Sequence, residues 1–401
     1  MIIISNLRKE TKGASVRIIC DIESDFSNVK ELWFSVPREY GEWLTDDVYD
    51  AFMLAMLYPA MYYKEDEIVV KGMVSEKLHY NLLQYVQSVI IAYRPEMTPV
   101  RISVEEYANA VQLHSGVGTA FSAGIDAFTT LYDHLEVESN SHYKISSFFF
   151  FNLGSHGGGG EKARRKFLSR YNYIKQFTDS LSLPFIPLDS NLFDFYLKYW
   201  EFDAGIFCRA TGALVFQRAL SKYYVASDNA YVDHMDYLFD KRIVDLSSLA
   251  ENYLFPMLST ESLEIIPDGA QYSRSEKTER IINYAPVREY LNVCVSGEND
   301  SYQNCSICHK CQRTLFALDV LGGLSEFRKV FDIQKWEKER FRYKCQLIVD
   351  YNKDVYAKDN VDLAKRHNYK MPSKLTANLV VGYDVLVFKL KQIALRVLRP
   401  R

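Results

Sequence analysis

From residue 118 onward, short and almost continuously apolar runs alternate with helical stretches, and that alternation constrains the fold more than any other feature of the chain. The strand candidates are Gly118–Phe121, Ser147–Leu153, Phe185–Leu188 and Tyr223–Ser227. Helical patterns fill the gaps at Ala127–His134, Lys162–Leu181 and Gly212–Leu220. Strands apolar on both faces, separated by helices, are the pattern of a buried parallel sheet. The expectation is a doubly wound α/β domain with ligands at the carboxyl ends of its strands.

The first hundred residues read differently. Val16–Ile22, Glu31–Val36 and Ile68–Val70 are strand-like, and Asp47–Ala60 and Val74–Tyr93 helical, with Pro59 helping to end the first helix. Pro95 and Pro99 punctuate the end of this stretch. A chain of 401 residues exceeds what one core usually serves. The expected division is therefore an α+β domain over 1–103, an α/β domain over 104–290, a cysteine-rich segment over 291–335 and a helical tail over 336–401. The tail contains one helix over Gln334–Tyr351, and its end carries Lys389, Lys391, Arg396, Arg399 and Arg401 among Leu and Val, which reads as a solvated docked helix.

Charge and cysteine usage narrow the function classes. The net charge of −3 lacks the basic excess of a protein built to grip nucleic acid, so nucleic acid is demoted as a partner. The start of the chain lacks a secretory h-region, and no apolar stretch is long enough to span a membrane. Four of the seven cysteines crowd between Cys294 and Cys311, which argues for metal ligation in a reducing cytoplasm over a disulfide framework.

That crowd has the form Cys294-x10-Cys305-x2-Cys308-x2-Cys311. A tight knuckle aims three thiolates at one ion, and Cys294 supplies the fourth corner of a tetrahedron. Zn²⁺ with four soft ligands and no open position makes a structural site, and an iron–sulfur cluster is the rival. His309 reads as a bystander.

A second motif lies where the first strand of the α/β pattern ends. Ser122-Ala123-Gly124-Ile125-Asp126-Ala127 joins a strand to a helix. Small residues there let the backbone approach a phosphate, and the first-turn N–H groups point at it. Asp126 could hold Mg²⁺. The segment resembles the PP-loop of the ATP pyrophosphatases, Ser-Gly-Gly-x-Asp-Ser. Ser122, Gly124 and Asp126 keep the register, while Ala123 and Ala127 depart from it. Ala123 fits without strain only if its φ is negative.

Two further stretches carry the resemblance toward the 7-cyano-7-deazaguanine synthase-like branch. Asp268–Ile281 is similar to the stretch in which a lysine opens a helix ahead of the metal site, and Asn304–Thr314 resembles the branch's Cys-Gly-x-Cys-x-x-Cys-x-x-Arg end. Together the matches cover roughly residues 118 to 325. The resemblance implies a Rossmann-like fold of the adenine nucleotide α-hydrolase type, with ATP, Mg²⁺ and Zn²⁺ as cofactors. It implies Ser122, Ala123, Gly124, Asp126 and Ala127 as the phosphate loop, and Lys277 with Arg274 on the ATP phosphates.

The implied reaction is adenylation of a carboxylate or amide oxygen with release of pyrophosphate, followed by attack of a nitrogen nucleophile. The acceptor is then a small molecule or a peptide, held between the Gly157–Gly160 loop and the knuckle. His156 in that loop could touch substrate or be merely solvated. The alternatives are a sulfur-transferring PP-loop enzyme, for which Cys208, Cys345 and Cys20 are the spare thiols, and a nucleotide-binding sensor or subunit without turnover. A homo-oligomer or an operon-encoded protein partner is compatible with either.

Overall fold

The computed structural model describes residues 1–109, 115–154, 156, 160–196, 204–240, 246–294 and 304–397. In chain order the N-terminal part forms β1 (Ile2–Lys12), β2 (Ser15–Glu23), β3 (Glu31–Pro37), α1 (Asp50–Tyr63), β4 (Glu67–Val74), α2 (Glu76–Asn81), α3 (Gln87–Tyr93) and β5 (Arg101–Tyr107). The alternating part forms β6 (Gly116–Ala120), α4 (Ile125–Leu131), β7 (Ser147–Asn152), α5 (Gly160–Thr178), β8 (Phe185–Ser190), α6 (Phe193–Tyr196) and α7 (Gly205–Leu214). It continues with β9 (Leu220–Ala226), α8 (Tyr231–Asp240), α9 (Leu246–Met257) and β10 (Glu264–Asp268). Among the described residues only helices follow: α10 (Arg274–Ile281), α11 (Ala285–Tyr290), α12 (His309–Val320), α13 (Ile333–Asp350), α14 (Val355–Arg366) and α15 (Lys374–Val397).

Two compact units result. The first comprises Met1–Ser122, Thr130–Ser227 and Asp245–Ala270, and it holds one ten-stranded sheet in the order β10-β9-β6-β7-β8-β3-β2-β1-β4-β5. The pairings of β10, β9, β6, β7 and β8 are all parallel. Counted from β6, their order is 3-2-1-4-5, a doubly wound arrangement with its switch point between β6 and β9. β7 shows why parallel strands read as unbroken apolar runs: Phe148, Phe149, Phe150 and Phe151 are all buried, so both faces are covered.

The boundary expected near residue 103 does not divide the sheet. β3 pairs antiparallel with β8, Phe34 opposite Ser190, so β1–β5 extend the parallel half instead of forming a sheet of their own. Hydropathy cannot reveal such a join, because a strand at a sheet's edge and a strand in its middle differ only in what pairs with them. α1 is buried on every side from Asp50 to Met61, as expected of a helix apolar all round. Pro59 lies inside this helix and does not end it. Gly212–Leu220 is also not one helix: α7 stops at Leu214, and Leu220 opens β9.

The second unit comprises Ala123–Thr129, Asp228–Val244 and Gln271–Arg401. Its core runs through α10, α12, α13 and α14, with Leu315, Phe316, Leu318, Trp336 and Leu363 fully buried. The helix expected over Gln334–Tyr351 is α13, displaced by one residue.

Candidate functional site

Every charged residue singled out from the sequence except the tail lysines and arginines can be placed. Asp126 sits in the first turn of α4. Arg274 and Lys277, three residues apart on α10, share one face of that helix and both reach its carboxylate. Lys277 Nζ lies 3.2 Å from Asp126 Oδ1 with only 1% of its side chain exposed, and Arg274 Nη1 bonds the other oxygen.

Burial favours the neutral acid at Asp126, but the two cations overcome it and hold its pKa at about 2. Burial likewise opposes the charge of Arg274, and the charges of Asp126 and Asp228 outweigh it, raising its pKa.

α10 is fixed in place by two devices. Ser273 caps it, accepting from Glu276 N while the Glu276 carboxylate accepts from Ser273 N, a capping box. Asp359 on α14 then accepts from Ser273 Oγ at 2.6 Å, Ser275 Oγ at 2.6 Å and Ser275 N at 2.7 Å. Burial raises the pKa of Asp359 in spite of these bonds.

Two more cations belong to this cluster and escaped the sequence reading as a phosphate site. Lys310, in the first turn of α12, feels Asp228, Arg274, Arg313 and Asp126, and burial lowers its pKa. Arg313, one turn on, lays its guanidinium 3.8 Å from the ring centre of Tyr356. Four cations, Arg274, Lys277, Lys310 and Arg313, thus share a neighbourhood with two carboxylates, Asp126 and Asp228. Arg274 Nε and Arg313 Nε are both buried with no hydrogen-bond partner among the described residues. Unsatisfied donors and surplus positive charge in a buried setting are costly unless an anion answers them.

The loop before α4 has an unusual backbone. Ala123 adopts φ +58°, a conformation that favours glycine, and it is buried. Its carbonyl accepts from Asn292 N at 2.8 Å, which ties the turn to the segment ahead of the cysteines. The condition for a strain-free alanine, a negative φ, is not met. Ser122 is exposed, Gly124 half-buried and Ala127 buried.

The four cysteines converge. Their sulfurs all lie within 4.8 Å of one another, with Cys308–Cys311 at 3.4 Å, Cys305–Cys311 at 3.8 Å and Cys294–Cys308 at 4.0 Å. A tetrahedron of Zn–S bonds of about 2.3 Å has edges of about 3.8 Å, so the thiols fit a closed four-coordinate metal site. Burial opposes the Cys305 thiolate, but the N–H groups of Ile307 and Cys308 pull its pKa down to about 7.

Asn304, which no motif marks, organises the knuckle. Its Oδ1 accepts from Val293 N and Cys294 N, and its Nδ2 donates to the carbonyls of Leu291 and Val330. Ser306 has φ +65°, which gives a physical reason for the glycine in the resembling Cys-Gly-x-Cys pattern. His309 is exposed at the start of α12.

Other expectations fare differently. His156 is not solvated: it packs against Phe150 and Phe167, and burial lowers its pKa to about 3. Gly157, Gly158 and Gly159 lie outside the described residues, as do the last four residues of the tail. Gly154 and Gly160, on either side of them, help line a cavity of about 220 Å³ in the first unit, with Trp33, Asn152, Arg164 and Asp194. Arg164 Nε there bonds Asp189 Oδ2 at 2.6 Å.

Burial pushes the spare thiol of Cys208 up to about 12 and raises those of Cys20 and Cys345 as well, which disfavours their thiolate forms.

Fold and site together define an α/β protein with a mostly parallel sheet and a tetracysteine group able to hold a metal ion such as zinc. Among the described residues no helix is long and apolar enough to cross a membrane. Compared with protein-family models, curated proteins and solved structures, the chain matches none of them.

Proposed function

We propose that the Asp126 cluster holds the phosphates of ATP with Mg²⁺, and that the protein is an adenylating ligase of the PP-loop kind on a Rossmann-like, adenine nucleotide α-hydrolase scaffold. The observation that carries this reading is the surplus of buried cations around Asp126, two of them with unanswered Nε donors. A triphosphate supplies the missing negative charge. Arg274 and Lys277 would bind the triphosphate oxygens, and Asp126 would be the carboxylate to hold Mg²⁺, which would neutralise charge on the phosphates. Gly124 and the first-turn N–H groups of α4 face the same anion, with Ser122 offering a hydroxyl.

In the reaction an acceptor carboxylate or amide oxygen attacks the α-phosphorus, and the bond to pyrophosphate breaks. A nitrogen nucleophile then attacks the activated carbon, and AMP leaves with the bonding electrons. Positioning and charge neutralisation supply most of the catalysis in such steps. The tetracysteine group would hold Zn²⁺ as a structural ion, keeping α12 and its Lys310 and Arg313 in place.

One observation favours a second reading, in which nucleotide binds without turnover. Asp126 is already engaged by both cations, an arrangement that is self-sufficient without Mg²⁺. Titration calorimetry with ATP and Mg²⁺, followed by single-turnover detection of AMP with an acceptor panel, separates the cases. Absence of ATP binding by the wild type overturns both.

A further inference from the structure

α15 runs from Lys374 to Val397 along α13, burying Ala377 and tying Asp384 Oδ1 to Arg342 Nη2 at 2.6 Å. Its other face is bare. Leu375 is 73% exposed, and Leu379, Tyr383, Val385 and Leu386 are each about half exposed or more. Between Leu375 and Phe388 the only charged residue is Asp384, and it belongs to the face that meets α13. A solvated helix face carries charges at every turn, and this one carries none over nearly four turns.

The spacing is informative as well. Leu375, Leu379, Gly382 and Leu386 follow one another at intervals of four, three and four, the seam of a helix pair. Gly382 stands in the middle of this seam, and a Cβ there would meet nothing within 4 Å in its own chain. Glycine is a poor residue for a helix interior, and nothing among the described residues of the protomer requires it. A second helix crossing close at that point does require it, because the absent side chain lets two backbones approach.

We propose that this face is a homodimer interface, in which α15 of one protomer packs across α15 of a second copy with the two Gly382 residues at the crossing. The choice of a second copy rests on three features. The face is apolar along its seam, with only Thr376 and Asn378 as polar residues at its margins and no charge to select a different partner. A two-fold axis through Gly382 places Leu379 against Val385 of the other copy and Leu386 beside Asn378 and Leu379, so apolar side chains meet on both sides of the crossing. The five exposed side chains bring on the order of 500–600 Å² per protomer, about 1,100 Å² for the pair, which lies at the low end of interface sizes and suits a dimer that dissociates on dilution.

Sedimentation velocity on the full chain, across a concentration series, tests this. The wild type is expected to be a dimer that dissociates on dilution. Leu379→Glu with Leu386→Glu should raise the dimer Kd by about 100-fold or more while the circular dichroism stays unchanged. Gly382→Leu is the sharper variant, since it adds apolar surface yet should weaken the dimer by about tenfold or more if the helices approach closely there.

A wild type that stays monomeric at the highest soluble concentration overturns the proposal. So does a Gly382→Leu variant that dimerises as well as or better than the wild type. A monomeric wild type that co-sediments with phosphatidylserine vesicles, and loses this with Leu379→Glu, assigns the face to a lipid surface instead.

Discussion

Asp126 on α4 and Lys277 on α10, 151 residues apart in sequence, meet at 3.2 Å in a buried ion pair. The pairing changes what removal of the carboxylate should do. A residue serving only a ligand could be deleted without harm to the fold, whereas Asp126 neutralises two buried cations.

Asp126→Asn is therefore expected to cost about 3 kcal/mol of stability, the scale for breaking a buried pair and leaving the partner charges uncompensated. Pyrophosphate or ATP at millimolar concentration should restore part of the loss, because an anion replaces the missing charge. Thermal melts with and without pyrophosphate check both halves. Equal melting temperatures of variant and wild type without ligand would show that the pair contributes nothing.

The same pair sets an acid limit. The folded pKa of Asp126 is depressed to about 2 from the ordinary carboxylate value of 3.8. A depressed acid stabilises the fold above its unfolded pKa, and that contribution fades as pH falls through the folded one. The expected loss is on the order of 2 kcal/mol between pH 4 and pH 2, absent in Asp126→Asn. Urea unfolding at pH 6, 4 and 2 for both proteins measures it.

Part of this architecture was legible in the sequence, and the reasons differ residue by residue. β7 and β8 are apolar on both faces, so their runs announce themselves, and the four cysteines keep a spacing that suits a common metal ion. Asn304 and Asp359 were silent because their work is to bond backbone and hydroxyl groups brought from elsewhere by the fold. Lys310 and Arg313 were visible only as neighbours of cysteines, since their nearness to Arg274 depends on how α12 packs on α10. The end of α7 was missed because Leu214, Val215 and Phe216 are as apolar as the helix before them and the strand after them.

The tetracysteine group should copurify with one zinc per chain. Elemental analysis that finds iron, or no metal with the thiols intact, would refute this. Cys308→Ser should lower the melting temperature and the metal content together, because binding energy at a closed site is also folding energy. A chelator should reproduce the loss in wild type and leave the variant little changed.

Ala123 holds φ +58° while fully packed, so the turn ahead of α4 carries strain of about 1–2 kcal/mol. Ala123→Gly should relieve it, and after the greater entropy of glycine in the unfolded chain the net gain is roughly 0.5–1 kcal/mol. Differential scanning calorimetry reads the sign directly. A destabilised glycine variant would mean that the methyl group's packing outweighs the backbone strain.

Ala127 bears on whether the site turns ATP over. It is buried in the first turn of α4, where the resembling loop has serine. A serine placed there has the carbonyl of Gly124, three residues back and already an acceptor from Phe128 N, as a candidate partner, so the hydroxyl need not go unpaired in the folded protein. Stability of Ala127→Ser should therefore stay within about 1 kcal/mol of the wild type. If the charged groups carry most of the catalysis, the extra hydroxyl changes the single-turnover rate of AMP formation by less than about tenfold, equivalent to about 1.4 kcal/mol. If the site only binds, the wild type holds ATP and forms no AMP with any acceptor. Slow AMP formation that emerges only in Ala123→Gly with Ala127→Ser would then locate the defect in the loop. The cations around Asp126 favour a bound anion under either outcome, so AMP formation by the wild type in a single turnover is the measurement that separates them.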